Sequence, residues 1–323
     1  MSTTQHRGAL VPALAALVAG ASFGVNGTFS QIVAAQGFTL QHIAILQFIC
    51  GAVILGVVAL IKREPLPSPR DLIGLLIVGV LQGASALSYY FAIDSLSVGQ
   101  AVAIQFQYVW IAVFIQNAVE RSLPSKWVVI STVVIICGTL LGSGLVDEMI
   151  AGELGAISLA GVAFAVACAF FYALFIYLNG RFAKKQPTVS RTFYVAIGAV
   201  LVTSIASPDF YLGACDVAGL APYALFMGVL ATIIPCSCLA VAGKRLPGGI
   251  VAILTSAELP AAVASGCLLL GEPISVLRVV GIVLILASIV LSEMDELLPS
   301  KRNGQPAPSA QKQNAPVNQR VKG

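Results

Sequence analysis

The chain consists of long apolar stretches joined by short polar links. Ten of these stretches reach about 20 residues, the length at which an α-helix crosses roughly 30 Å of hydrocarbon. Turn-forming residues such as Pro65, Pro124 and Pro247 fall in the links. The predicted spans lie near residues 9–33, 41–61, 72–93, 98–119, 126–145, 155–178, 189–206, 221–243, 248–270 and 274–291. The pattern therefore predicts an all-α integral membrane protein with ten transmembrane helices.

The composition agrees with a membrane environment. With 58% hydrophobic and 10% charged residues, the chain has too little polar surface for a soluble globule. The first stretch follows His6 and Arg7 and could be a signal peptide, but its length and its polar Asn26 and Gln31 favour a mature span. Residues 1–8 are predicted to be a cytoplasmic N-terminus, and the polar residues 299–323 a disordered cytoplasmic tail.

The distribution of positive charge gives the chain an orientation. If the N-terminus is cytoplasmic, every Lys and Arg except Arg278 falls on the cytoplasmic side, where positive residues are retained. Acidic residues dominate the opposite links, namely Asp94, Asp147, Glu148, Glu153, Asp209, Asp216 and Glu272. The sequence therefore predicts a multi-pass protein of the cytoplasmic (inner) membrane with both termini in the cytoplasm.

Several classes of function are not supported by the sequence. The basic links are explained by topology, so we expect no nucleic-acid partner. Cys236-Ser237-Cys238 lacks zinc-ligand spacing, and the chain has only two histidines. It has no phosphate-binding loop for ATP and no Ser, His and carboxylate set. We therefore expect no metal, no cofactor and no enzymatic activity, in a monomer or a homodimer.

The second half of the chain resembles the first. An offset of 152 residues places 98–138 on 250–290 without a gap, so that Lys126 meets Arg278 and Glu120 meets Glu272. The two units are 9–146 and 155–296. Because each has five spans, the second must enter the membrane from the opposite side. Such inverted repeats are typical of secondary transporters, whose substrate site lies near the midplane.

Three motifs of the second unit carry a family resemblance. They are the runs 258–262 (Glu-Leu-Pro-Ala-Ala), 270–273 (Leu-Gly-Glu-Pro) and 281–285 (Gly-Ile-Val-Leu-Ile). With the two five-span units, these motifs resemble the EamA-like family of the drug/metabolite transporter superfamily. The first unit departs from the pattern, with Gln107-Tyr108 where the family often has a proline. The resemblance implies a secondary transporter, usually an exporter of amino acids, related metabolites or drugs, and often coupled to protons.

Glu258 is the outstanding polar residue within an apolar span. A carboxylate at that depth costs roughly 2.5 to 3.5 kcal/mol on insertion scales, so it should face the bundle interior. No Lys or Arg is predicted at a similar depth, and we therefore expect a neutral, protonatable Glu258 that couples substrate to protons. The structural alternative is that Glu258 bonds backbone groups freed by Pro260.

Other polar residues within spans complete the candidate binding site. The fourth span offers amides and aromatic rings, the third span a polar stripe, and the first, sixth and ninth spans single groups. The candidates are Gln105, Gln107, Tyr108 and Trp110; Gln82, Ser85 and Tyr89; and Asn26, Tyr172 and Ser256. Amide groups can both donate and accept hydrogen bonds, which suits a small polar substrate. The alternative is packing between helices, through hydrogen bonds worth about 0.6 kcal/mol each.

These observations favour a proton-coupled secondary exporter of small polar metabolites such as amino acids or related compounds. An uptake or exchange carrier of the same superfamily remains open, because the sequence does not separate the directions of transport. From other classes, a non-transporting membrane receptor or an intramembrane enzyme that uses Glu258 also remains open. The latter two would need a soluble signalling domain or a second catalytic group, and neither is visible in the sequence.

Overall fold

A computed structural model describes residues 3–153, 157–271 and 273–292, and every regular element in this part of the chain is helical. The α-helices are α1 (Thr3–Ala34), α2 (Leu40–Ile61), α3 (Pro69–Ile93), α4 (Val98–Gln105), α5 (Tyr108–Glu120), α6 (Lys126–Gly142), α7 (Leu145–Ala151), α8 (Leu159–Asn179), α9 (Thr188–Ala206), α10 (Val217–Gly228), α11 (Ile234–Ala242), α12 (Gly248–Thr255), α13 (Glu258–Ser265) and α14 (Val276–Ser292). Glu272 and the predicted tail, 299–323, lie outside the described residues.

The described helices account for most of the predicted spans. Eight segments are long and apolar enough to cross a membrane, and α6 with α7 makes a ninth if this bent pair is one span. The helix α14, Val276–Ser292, is apolar but shorter than these. The chain is therefore an all-helical, multi-pass membrane protein, and the tenth span stays a prediction.

Serine caps explain where several helices begin. The Ser97 hydroxyl accepts a hydrogen bond from the Gln100 backbone N–H at 3.1 Å, and the Gln100 side chain accepts one from the Ser97 N–H at 3.1 Å. Ser125 accepts from the Val128 N–H at the start of α6. Such side chains satisfy amide groups that the first helical turn leaves without partners. The predicted starts at Val98 and Lys126 thus coincide with the observed ones.

Three predicted spans are interrupted rather than continuous. The fourth breaks at Phe106–Gln107 and the ninth at Ser256–Ala257, while the eighth contains a π-helical turn over Val229–Ile233. Pro235 lacks the N–H that would bond the carbonyl of Ala231, and the Gln82 amide donates to that carbonyl instead, at 3.1 Å. Irregular backbone within a bundle requires such replacement partners. The fifth predicted span also ends early, because Gly144 adopts φ +84° before α7, and α6 and α7 meet at 45°.

Equivalent helices of the two units share one sequence offset. The helices α4 and α12, the first residues after their breaks (Tyr108 and Glu258), and both ends of α6 and α14 all differ by 150 residues. The structure therefore corrects the self-match of 152 residues by two positions. In this register Tyr108 is the counterpart of Glu258, and Val276, rather than Arg278, is the counterpart of Lys126. A few identities between uniformly apolar helices do not fix their alignment to the exact residue.

The equivalent helices α6 and α14 pack against each other in antiparallel directions. The Ser131 hydroxyl, early in α6, donates to the Ser288 carbonyl, late in α14, at 2.7 Å. At the other end, a Cβ on Gly281 would lie 2.3 Å from the backbone nitrogen of Gly142, so the two backbones are in direct contact. Such close approach explains the small residues at this crossing.

The links gather on two faces of the bundle. The face we call acidic is held by hydrogen bonds between links that carry Asp94, Glu148 and Asp147, which bind Gln41, Ser97 and Ser275 respectively. The opposite face, which we call basic, is held by bonds of Glu120 to Arg181, Glu64 to the Ser190 N–H and Asp71 to the Ala183 N–H. The two faces lie at opposite ends of the helices.

Candidate functional site: a cavity that reaches Glu258

A cavity of about 320 Å³ lies between α1, α2, α3, α4, α8 and α13. Gln31, Val98, Glu148 and Arg278 line its outer part at the acidic face, and Glu258 lies deeper. None of the links at the basic face contributes to its lining. In the described residues, the cavity therefore connects Glu258 with the acidic face.

Two glycines of α1 position the backbone around Glu258. A Cβ on Gly20 would lie 2.2 Å from the Thr255 carbonyl oxygen, and one on Gly24 would lie 2.2 Å from the Glu258 carbonyl oxygen. Only hydrogen atoms at these positions let α1 approach the break between α12 and α13. These two glycines therefore serve close helix packing.

The Glu258 carboxylate has a specific partner across the bundle. The Tyr172 hydroxyl of α8 donates a hydrogen bond to Glu258 Oε2 at 3.0 Å. The Tyr172 ring is held edge-on by Tyr108 and Phe23, with ring centroids 4.6 Å and 5.8 Å apart. The observed hydrogen bond is thus to a side chain of the same unit, and not to backbone freed by Pro260.

A second, separate concavity of about 300 Å³ opens at the basic face. Its lining includes Ile176 and Arg181 of the α8 region, and also Lys244, whose pKa is lowered by burial and by the nearby Arg191. On α8 the first cavity reaches Tyr172 and the second begins at Ile176, four residues or about 6 Å further along the helix. Fully buried Tyr108 and Phe175 pack against Tyr172 at this level. The barrier between the two cavities is therefore thin and largely aromatic.

Seven of the predicted site residues line the first cavity. They are Asn26, Gln82, Ser85, Tyr89, Gln105, Tyr172 and Glu258. Two of these also form hydrogen bonds that join helices. The Gln82 amide donates to the Ala231 carbonyl, and the Ser85 hydroxyl donates to the Cys168 carbonyl at 3.3 Å.

Four predicted site residues lie elsewhere. Tyr108 is fully buried in the aromatic barrier, and Ser256 is fully buried and bonds the Ile253 carbonyl. The Gln107 amide bonds the Ala103 carbonyl and accepts from the Trp110 indole, and Trp110 itself is 44% exposed on the outside of the helices. Gln107 and Trp110 therefore lie away from the cavity that Gln105 lines.

The structure also adds residues that the sequence interpretation missed. Gln47, Ser30 and Tyr90 line the cavity beside Asn26, and Arg278 lies at its mouth, where its Nε is 3.6 Å from Asp147. Gln47 was detectable as an amide within the most apolar span. Arg278 stood out in the sequence only as the exception to the charge pattern, and its contact with Asp147 of α7 places it at the cavity mouth.

Comparison with known proteins identifies the family. The model of the EamA-like transporter family matches residues 10–144 and 159–294, one match for each unit. The chain belongs to the EamA-like transporter family. It is thus a transporter of the drug/metabolite transporter superfamily.

Individual relatives agree with this family membership. The chain is 25% identical over 301 residues to the threonine/homoserine exporter RhtA of Salmonella typhimurium, in strains SL1344 and LT2, with 92% of each chain covered. One crystal structure, described without a function, matches with a TM-score of 0.67 at 13% identity, covering 86% of this chain and 96% of its own. The crystal structure supports the fold alone.

Proposed function

We propose that the chain is a proton-coupled secondary exporter of small polar metabolites, such as amino acids or related compounds. In this proposal Glu258 binds the proton and the substrate in turn. The observation that carries the proposal is the Glu258 carboxylate within the bundle, at the inner part of a cavity that, among the described residues, opens at the acidic face. The similarity to threonine/homoserine exporters supports the direction and the class of substrate.

The cavity arrangement supports alternating access across ten spans. With the basic face in the cytoplasm, as retention of positive charge favours, the described conformation opens outward and lets protons reach Glu258. Opening the aromatic barrier of Tyr108, Tyr172 and Phe175 would join Glu258 to the concavity at the basic face. Because the two units pack as antiparallel equivalents, rocking one against the other would close one access path while opening the other.

The coupling follows from competition at one carboxylate. A proton or a cationic group of the substrate can neutralise Glu258, and the low-polarity surroundings disfavour leaving it charged and unpaired. A proton that enters from outside and a substrate that enters from the cytoplasm then use the same group in alternate conformations. Tyr172, at 3.0 Å, can stabilise the ionised carboxylate during the exchange.

Efflux from proteoliposomes tests the proposal. Vesicles that hold the purified chain are loaded with labelled threonine or homoserine, and efflux is followed with equal pH on both sides or with an acidic exterior. We expect the acidic exterior to accelerate efflux, and Glu258→Gln to remove the acceleration. Glu148→Gln, at the cavity mouth, is the matched control and should retain it. Efflux indifferent to the pH gradient, or an unchanged Glu258→Gln, would show the proposal to be wrong.

A further inference from the structure

A second polar cluster lines the cavity away from Glu258. It consists of Asn26 and Ser30 of α1, Gln47 of α2 and Tyr90 of α3, which we call the amide cluster. The Ser30 hydroxyl donates to the Asn26 backbone carbonyl at 3.0 Å and lies 3.4 Å from the Tyr90 hydroxyl. Gln47 lines the same cavity from α2.

Two side-chain oxygens of the amide cluster are left without a partner. Asn26 and Gln47 are 8% and 2% exposed, and neither Asn26 Oδ1 nor Gln47 Oε1 has a hydrogen bond within the described part of the chain. A buried acceptor without a partner destabilises the protein, because it has lost its hydrogen bonds to water. Both residues line the cavity, so a ligand there can supply the missing donors.

The charges along the cavity restrict the kind of ligand. Its described lining contains two carboxylates, Glu148 and Glu258, and one cation, Arg278, which lies at the mouth beside Asp147. The inner part therefore offers acceptors: the Glu258 carboxylate in one place and amide oxygens in the other. In the described side-chain orientations, a carboxylate placed against Asn26 Oδ1 and Gln47 Oε1 would meet acceptors instead of donors.

We propose that Asn26 and Gln47 form a second binding subsite that accepts hydrogen bonds from an amine or hydroxyl group, so that the preferred cargo is an amine with a second donor group. This inference rests on the proposed function in that it takes Glu258 as the site of the cationic amine. The two subsites would then hold the two ends of one small molecule and fix its orientation.

Equilibrium binding with three probes of equal chain length tests the subsite. The probes are 1,4-diaminobutane, butylamine and 4-aminobutanoate, titrated into the purified full-length protein in detergent. We expect 1,4-diaminobutane to bind about tenfold more tightly than butylamine, the gain typical of one or two hydrogen bonds, and 4-aminobutanoate to bind no better than butylamine. Equal affinities for the first two probes, or tightest binding of 4-aminobutanoate, would overturn the inference.

Variants assign the preference to the cluster. Asn26→Leu with Gln47→Leu should remove the tenfold preference while butylamine still binds, and the exposed control Gln36→Leu should keep it. Asn26→Asp preserves the side-chain shape, so it guards against misfolding of the leucine variants, and it should increase the preference for 1,4-diaminobutane. An unchanged preference in both cluster variants would contradict the proposal. Binding that occurs in buffer with Na⁺ but not with choline would also contradict it, because the oxygens would then bind a metal cation.

The outcomes separate this inference from the proposed function. Loss of proton-driven efflux would refute coupling through Glu258 and leave the probe preference standing. Loss of the preference would refute the subsite and leave proton coupling untouched.

Discussion

Replacing Gly24 by alanine tests whether contact between α1 and α13 holds Glu258 in place. The added Cβ would lie 2.2 Å from the Glu258 carbonyl oxygen and 2.8 Å from the Ala262 backbone nitrogen. Ordinary contact begins at 3.4 Å, so the helices must separate by about 1.2 Å, the difference between 3.4 and 2.2 Å. Because both obstacles are backbone atoms, no side-chain rotation relieves the clash.

The expected cost follows from two opposing terms. Overpacking costs about 1 to 3 kcal/mol, and the rigid obstacle places this contact at the upper end of that range. Alanine recovers up to about 1 kcal/mol of helix propensity. We therefore expect Gly24→Ala to lower the free energy of unfolding by about 2 kcal/mol and to impair transport.

Gly27→Ala is the matched control, since a Cβ at Gly27 meets nothing within 4 Å. It should be neutral or slightly stabilising. Thermal unfolding of the purified variants in detergent, followed by tryptophan fluorescence, measures the order of stability. A Gly24→Ala protein that melts with the wild type and transports normally would refute the inferred contact.

Two further predictions concern the basic face and the cavity mouth. Arg191 is 1% exposed and donates to the Asn179 and Ala240 carbonyls near the ends of α8 and α11, so Arg191→Ala should lower the free energy of unfolding by about 3 kcal/mol. The half-exposed Arg181 pairs with Glu120, and Arg181→Ala should cost less than about 1 kcal/mol. Thermal unfolding of the two variants measures the difference. In a cysteine-free background, a membrane-impermeant thiol reagent added outside cells should label Gln31→Cys but not Lys184→Cys, and the reverse pattern would invert the proposed orientation.

Apolar length and charge placement predict most of the helices, because both are local properties of the sequence. Glu258 could also be selected from the sequence, since an isolated carboxylate within a span stands out against its surroundings. Its partner Tyr172 was a candidate only as a polar residue, and their contact depends on how α8 crosses α13.

The breaks within helices were harder to predict. No proline marks the break at Phe106–Gln107, and Pro260 lies beyond the break at Ser256–Ala257. These interruptions depend on how the broken helices pack against α1 and α8. The sequence of one span does not reveal that packing. Gln105, before the break, lines the cavity, whereas Trp110, after it, is 44% exposed on the outside of the helices.

Proton movement driven by substrate tests the central claim most directly. Proteoliposomes that enclose a pH-sensitive dye, with no initial pH gradient, are given an outward gradient of threonine or homoserine. If one carboxylate exchanges protons for substrate, efflux must carry protons inward and acidify the lumen, and Glu258→Gln must abolish the signal. Efflux without acidification, or acidification that persists in Glu258→Gln, would contradict proton coupling at Glu258.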